Sequence, residues 1–103
     1  MKSYSIQIAP EALADIQDIT DWYNQYKDGL GAKFQKTAIN HIGKLSKNPH
    51  AYAIRYHKIR CILVRKFPYL FHSYINEATK IVEVLAVIST DRKPKVWEKK
   101  TNR

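Results

Sequence analysis

Two runs of regularly spaced apolar residues between positions 10 and 48 constrain the fold of this chain most strongly. In each run the apolar residues recur at intervals of three or four, which places them on one face of an α-helix. The two stripes consist of Leu13, Ile16, Ile19, Tyr23 and Tyr26, and of Leu30, Phe34, Ala38, Ile42 and Leu45. Pro10 suits a first helical turn, residues 27–31 contain two glycines, and Asn48–Pro49 ends the second run. Because the loop is short, we predict an antiparallel helix hairpin, with Trp22 as a further packing residue.

The segments on either side of this hairpin have the composition of β-strands. Residues 4–8 alternate apolar and polar side chains, as a half-buried strand does. Three later segments are rich in β-branched and aromatic residues, and the last of them is the most apolar, which predicts the central strand. These later strands are predicted at residues 59–67, 69–75 and 80–88. The order strand, helix, helix and three antiparallel strands predicts one α+β domain over residues 1–103.

The C-terminal residues are polar. Residues 91–98 are interpreted as a helical turn that docks Trp97 on the sheet, and the basic tail 99–103 is expected to fray.

Positive charge is concentrated in the second half of the chain. The whole chain has 18 Lys and Arg against 9 Asp and Glu, a net charge of +9. Residues 51–103 hold twelve of these cations, including all five arginines, and only four acids, a net charge of +8. Such a surface attracts phosphate backbones or an acidic protein.

Several classes of protein are not supported by the sequence. The single cysteine, Cys61, cannot form an internal disulfide, and no stretch of about 18 apolar residues exists to span a membrane. The first residues lack the apolar run of a signal peptide, so we expect a cytoplasmic protein. The four histidines lack the paired spacing of metal ligands, and we expect neither a metal nor another cofactor.

The alternation of side chains along the first long strand suggests which residues face the helices. Because a buried unpaired arginine is costly, we expect Ile59, Cys61 and Leu63 to face inward. The open face would then carry Arg60 together with Ile62 and Val64. On the next strand, His72 and Tyr74 share a face, which we expect to be the same open face.

An ordered set of short motifs over about ninety residues resembles the RelE/ParE superfamily of bacterial type II toxins, and more closely its ParE branch. The matching segments are residues 8–12, Asp15, Trp22–Tyr23, Gly29–Gly31, Phe34, Asn48–Pro49, Tyr52, Ile59–Arg60, Phe67–Tyr69, Val84–Val87, Thr90–Arg92, Lys93–Pro94 and Trp97. The resemblance implies a toxin of a plasmid-stabilising system that a co-expressed acidic antitoxin neutralises in a hetero-oligomer. RelE-like members cut mRNA in the ribosomal A site, whereas ParE-like members poison DNA gyrase.

The resemblance also separates these two activities by residue. Arg92 matches a RelE-type arginine, and Lys58 and Arg60 lie near a RelE-type basic pair. Leu70 stands where RelE-like enzymes have a second arginine, and Trp97 or Glu98 stands at their late tyrosine. The ParE-like interpretation, a gyrase-binding toxin without catalytic residues, is therefore preferred.

Two alternatives stay open. One is a metal-independent mRNA endonuclease, and the other is a non-toxic, basic nucleic-acid-binding domain. The candidate catalytic residues of an endonuclease are Lys58, Arg60, His72, Tyr74 and Arg92. The candidate residues for contact with the target or the antitoxin are Arg60, Ile62, Val64, Tyr69, His72, Tyr74, Arg92 and Trp97.

Overall fold

A computed structural model describes residues 4–101 as a five-stranded sheet with two long helices on one face and a short helix on the other. The elements are β1 (Ser5–Ile8), α1 (Pro10–Tyr26), α2 (Leu30–Lys47), a 3₁₀ turn (Pro49–Ala51), β2 (Ile54–Tyr56), β3 (Ile59–Leu63), β4 (Tyr69–Asn76), β5 (Ile81–Ser89) and α3 (Pro94–Thr101). This is the predicted α+β class, and the predicted helix hairpin is confirmed.

The strands are arranged in the order β1-β5-β4-β3-β2. Strand β1 is parallel to β5, and the other neighbours are antiparallel. Strand β5, predicted to be central, is an interior strand, and β4 occupies the middle of the sheet. The short strand β2 was not predicted, because its three residues carry no recognisable alternation.

The main core lies between the sheet and the α1–α2 hairpin. Phe34 and Phe71 are fully buried there. Tyr23 contacts Phe34 in a tilted arrangement and Phe67 edge to face, with ring centroids 5.9 and 5.2 Å away. The helices approach closely at Gly31, where a Cβ atom would collide with the backbone carbonyl of Thr20. Gly31 therefore serves close helix packing, whereas Gly29, with φ of +85°, makes the turn.

The predicted apolar stripe of α1 is only partly correct. Ile19 and Tyr23 are buried, but Leu13, Trp22 and Tyr26 expose 53%, 57% and 77% of their surface. Trp22 and Tyr26 instead lie parallel to one another on the outside of the helix, with ring centroids 6.1 Å apart. The apolar spacing predicted a wider buried face than the structure has, because only a narrow stripe of α1 packs against the sheet.

The prediction for the two faces of β3 was wrong. Ile62 and Val64, assigned to the open face, are 2% and 0% exposed in the core beneath the helices, whereas Leu63 is 55% exposed. Register explains this result, because Ile62 is paired with Phe71, which points to the same core. Ile62 and Val64 therefore cannot offer the exposed contact surface that was expected of them.

The C-terminal segment is more ordered than predicted. Trp97 docks on the sheet as expected, with 8% of its surface exposed, but the helix continues through residues 99–101. The Thr101 hydroxyl is buried and donates to the carbonyl of Trp97 at 2.9 Å. Residues 102 and 103 of the predicted frayed tail lie outside the described residues. No helix within residues 4–101 has the length and apolar character to cross a membrane.

Candidate functional site

His72, the candidate acid–base residue, is completely buried between the sheet and α3. Its Nδ1 atom lies 2.9 Å from the Tyr56 hydroxyl and 3.5 Å from the Cys61 sulfur. The Tyr56 hydroxyl in turn lies 3.2 Å from Thr101 Oγ1. Thr101 donates its own proton to the Trp97 carbonyl, so its oxygen is free to accept from the Tyr56 hydroxyl, which also contacts His72 Nδ1. This chain of hydrogen bonds joins β4 to α3.

Burial fixes the protonation state of this cluster. Burial, together with the positive charges of Arg55 and Lys100, lowers the pKa of His72 to about 4. Burial also raises the pKa of the Cys61 thiol to about 11, against a smaller opposing effect of Arg55. At neutral pH the imidazole is uncharged and the thiol is protonated. Neither group is then a general acid or a nucleophile that a bound substrate could use.

Trp97 forms the cover over His72. Its ring centroid is 5.1 Å from that of His72 and 5.7 Å from that of Tyr56, and the Arg55 guanidinium lies over the same indole at 5.7 Å. On the outer side of α3, Glu98 pairs with His57 at 3.0 Å. Trp97 is therefore unavailable for stacking on a base, and its position agrees with the interpretation that it clips the C-terminal segment to the sheet.

Arg60 is used largely within the fold. It lies at the sheet edge with half-buried surface, and its Nη1 donates to the carbonyl of Tyr52 at 2.6 Å and approaches that of His50 at 3.5 Å. Together with exposed Lys58 it lines an open depression of about 340 Å³. Arg60 thus ties the segment after α2 to β3, and of this basic pair Lys58 is the more accessible cation.

Arg92 lies at another place, in the exposed loop between β5 and α3. It lines a groove of about 260 Å³ with Tyr69, Asp15 and Lys100. Burial, and then the charge of Asp91, raises the pKa of Tyr69, so its phenol stays protonated. A cation and a phenol thus share this groove.

Asp15 organises that groove in a way that the sequence did not suggest. Its Oδ2 accepts the backbone N–H of Val87 at 2.9 Å, and its Oδ1 pairs with Lys100 at 2.8 Å. Strand β1 ends its pairing at Val84, so the edge of β5 beyond that point has no strand neighbour on this side. No sequence signal marks this role, because it follows from β1 being shorter than β5.

The candidate residues therefore do not form one constellation. Lys58 and Arg60 share one depression, Arg92 and Tyr69 share the groove beside α1, and His72 and Trp97 are buried together. Tyr74 is half-buried on β4, where it is paired with Ile59 and Glu83 across the sheet.

Sequence reasoning missed Tyr56, Arg55 and Thr101, which build the surroundings of His72. Within residues 4–101, no three His, Cys, Asp or Glu side chains are grouped as metal ligands would be.

Strand β2 and the turn after it contact α3 through Arg55–Trp97 and His57–Glu98, and we treat the cations of these elements and of the loop before α3 as one basic face. Its members are exposed, and the only acid within α3 is Glu98, which is already paired. We define the basic face by Arg55, Lys58, Arg92, Lys93, Lys95 and Lys99. It is the surface of this chain best suited to an acidic partner.

Comparisons with known proteins identify the family of the chain and show which solved structures share its fold. Residues 6–94 match the family model described as ParE toxin of type II toxin-antitoxin system, parDE. No curated protein matches the chain. Among solved structures, the chromosomal ParDE system from P. aeruginosa has a TM-score of 0.76 at 16% identity, covering 88% of this chain and 100% of that chain. A mutant E. coli toxin RelE in the free state has a TM-score of 0.72 at 15% identity, covering 98% and 97%. The RelBE2 toxin-antitoxin complex of Mycobacterium tuberculosis has a TM-score of 0.63 at 18% identity, covering 88% and 97%.

Proposed function

This chain belongs to the ParE toxin family of type II toxin–antitoxin systems, and we propose that it stops growth by binding DNA gyrase in the cytoplasm rather than by cutting mRNA. The proposal treats the molecule as an inhibitory binding protein. Its activity would then depend on surface complementarity and charge, and it would require no proton transfer.

The buried, neutral state of His72 is the observation that carries this proposal. Metal-independent RNA cleavage needs a base for the 2′-hydroxyl and an acid for the leaving oxygen, both within reach of the substrate. His72 has no exposed surface beneath Trp97, and its pKa of about 4 leaves it uncharged at neutral pH. The cations Lys58 and Arg92 could stabilise a phosphorane, but they line two different depressions and are not grouped around one scissile phosphate.

The basic face is the surface that we assign to recognition. It combines exposed Lys58 and Arg92 with the lysines of α3. We further propose that a cognate acidic antitoxin covers this face in a hetero-oligomer, which would hide the cations from the target. Electrostatic attraction of this kind speeds association and sets the partner's orientation. A disordered acidic segment that folds on binding would suit a surface of this shape.

Inhibition of gyrase supercoiling by the purified full-length chain is the experiment that tests this proposal. We expect inhibition by the natural chain and relief on addition of the product of the neighbouring antitoxin gene. Arg92→Ala should weaken inhibition about tenfold, since a charge-assisted contact is lost. Lys36→Ala removes the same charge from the outer side of α2 and serves as the matched control.

Two results would contradict the proposal. If the chain leaves gyrase active at concentrations that arrest growth, its target lies elsewhere. If Lys36→Ala and Arg92→Ala weaken inhibition equally, net charge rather than the basic face carries the effect.

A further inference from the structure

A second cationic surface lies on the opposite side of the molecule, between α2 and the β3–β4 turn. It is a cavity of about 230 Å³ lined by Thr37, Asn40, His41, Lys44, Arg65 and Lys66. None of these residues belongs to the basic face defined above. The cavity contains three permanent cations and no carboxylate, and none of the ion pairs within residues 4–101 involves these cations.

His41 fixes the position of Arg65 beside these charges. Its Nε2 accepts the backbone N–H of Arg65 at 3.0 Å, so this nitrogen carries no proton. Burial, followed by the charges of Lys44 and Arg65, lowers the pKa of His41, which keeps the imidazole neutral at pH 7. The single ring proton must then be on Nδ1, and this buried atom has no hydrogen-bond partner. Because solvent does not reach Nδ1, His41 contributes to the cavity by holding the Arg65 backbone in place through Nε2.

The backbone of the β3–β4 turn is strained at the residue that completes the cavity. A hydrogen bond from the Phe67 N–H to the Val64 carbonyl, 3.0 Å long, closes the turn around Arg65 and Lys66. Lys66 has φ of +69°, and Arg65 does not have positive φ, which is the pattern of a type II turn. Glycine or asparagine is the favoured residue at that position, whereas a lysine is uncommon there. The chain thus places a cation beside Arg65 where local conformation favours glycine.

From this arrangement we propose that the cavity binds a phosphate group of a nucleic-acid backbone. Arg65 supplies the planar donors that match phosphate oxygens, Lys44 and Lys66 supply point charges, and His41 holds the Arg65 backbone beside them. The lining has no Phe, Tyr or Trp on which a base could stack, so the contact reads the backbone and not the sequence. The site lies on the helix-hairpin side and does not depend on which target the toxin inhibits.

The test uses the purified full-length chain with two probes, inorganic phosphate and a short DNA duplex of arbitrary sequence. We expect inorganic phosphate to shift the NMR signals of the His41 ring and the Arg65 amide. Arg65→Ala should weaken duplex binding about tenfold at low salt. It should also reduce the slope of log K against log salt by about 0.9, the contribution of one phosphate contact.

Lys66→Gly gives a variant that should fold at least as well as the natural chain, because glycine suits the positive φ. We expect it to retain or gain thermal stability while binding the duplex more weakly. Lys36→Ala, which removes a lysine of the same helix outside the cavity, should change duplex binding much less.

Three outcomes would overturn the proposal. In the first, neither probe perturbs His41 or Arg65. In the second, Lys36→Ala weakens duplex binding as much as Arg65→Ala, which makes the attraction a matter of net charge. In the third, inorganic phosphate binds but the duplex leaves these signals unchanged, which makes the cavity a site for free phosphate only.

Discussion

Acidification should destabilise this protein through His72, and the structure sets the size of the effect. The pKa of His72 in the folded state is about 4, because the ring is buried, while an unfolded chain has the ordinary value of about 6.5. Between these values the unfolded state binds a proton that the folded state does not bind. The stabilisation is therefore complete above pH ~6.5, falls as the pH is lowered toward ~4, and changes no further below that. The difference of about 2.5 units corresponds to about 3 kcal/mol.

Denaturant unfolding of the natural chain and of His72→Phe, measured between pH ~7 and ~4, isolates this contribution. Every other ionisable group is present in both proteins, so its effect cancels in the difference. His72→Phe should be less stable at pH ~7, because Tyr56 loses its partner, but it should lose about 3 kcal/mol less on acidification. Phe71→Leu, a core substitution on the same strand without a titratable group, is the matched control: it should lower the stability at every pH and retain the natural pH dependence.

An equal loss of stability on acidification in the natural chain and in His72→Phe would refute this reasoning. An NMR titration that finds the His72 ring protonated near pH ~6.5 would do the same. Either result would also restore His72 as a candidate acid or base at neutral pH.

Three further substitutions test the packing around the proposed surfaces. Gly31→Ala should lower the free energy of unfolding by about 1–3 kcal/mol because its Cβ meets the backbone of α1, whereas Gly43→Ala, with open space, should be neutral or slightly stabilising by denaturant unfolding. Asp15→Ala should cost about 1–3 kcal/mol by the same measurement, since the Val87 N–H loses its acceptor, and Asp15→Asn, which retains an oxygen, should cost less. Trp97→Ala should cost about 3–5 kcal/mol and expose His72, so that NMR finds its pKa closer to the ordinary value.

The helix hairpin was predictable because its signals are local. Apolar spacing, the glycines of the loop and the Asn48–Pro49 stop are all contained within neighbouring residues. The docking of Trp97 was also anticipated, although the helix that carries it extends further than expected. These features depend on sequence order and need no knowledge of how the strands pair.

The faces of the sheet were not predictable from alternation alone. Strand β3 has apolar residues on both faces, Ile62 on one and Cys61 on the other, because helices cover both faces of the sheet. The assignment of Arg60 to solvent on grounds of charge then inverted the whole strand. In the structure Arg60 shares the side of Ile62, but it lies at the edge, where the Tyr52 carbonyl accepts its hydrogen bond. The hydrogen bond from Arg60 to the Tyr52 carbonyl, which lies eight residues away, allows this orientation of β3, and the alternation along the strand does not reveal it.

The candidate site was predicted by residue type rather than by arrangement. Arg92 and Lys58 are exposed cations as expected, whereas the burial of His72 depends on Tyr56 and Trp97, which are distant in sequence. The burial of His72 is the observation behind our proposal of a binding toxin rather than an mRNA endonuclease.

Primer extension on a reporter mRNA translated in vitro with the purified chain tests the central claim most directly. That claim is that His72, the candidate acid–base residue, takes no part in RNA cleavage, because it is buried and neutral. We predict no cuts phased with the codons at concentrations of the chain that inhibit gyrase. Codon-phased cuts that disappear in His72→Phe or in Arg92→Ala would contradict the account and establish an mRNA endonuclease.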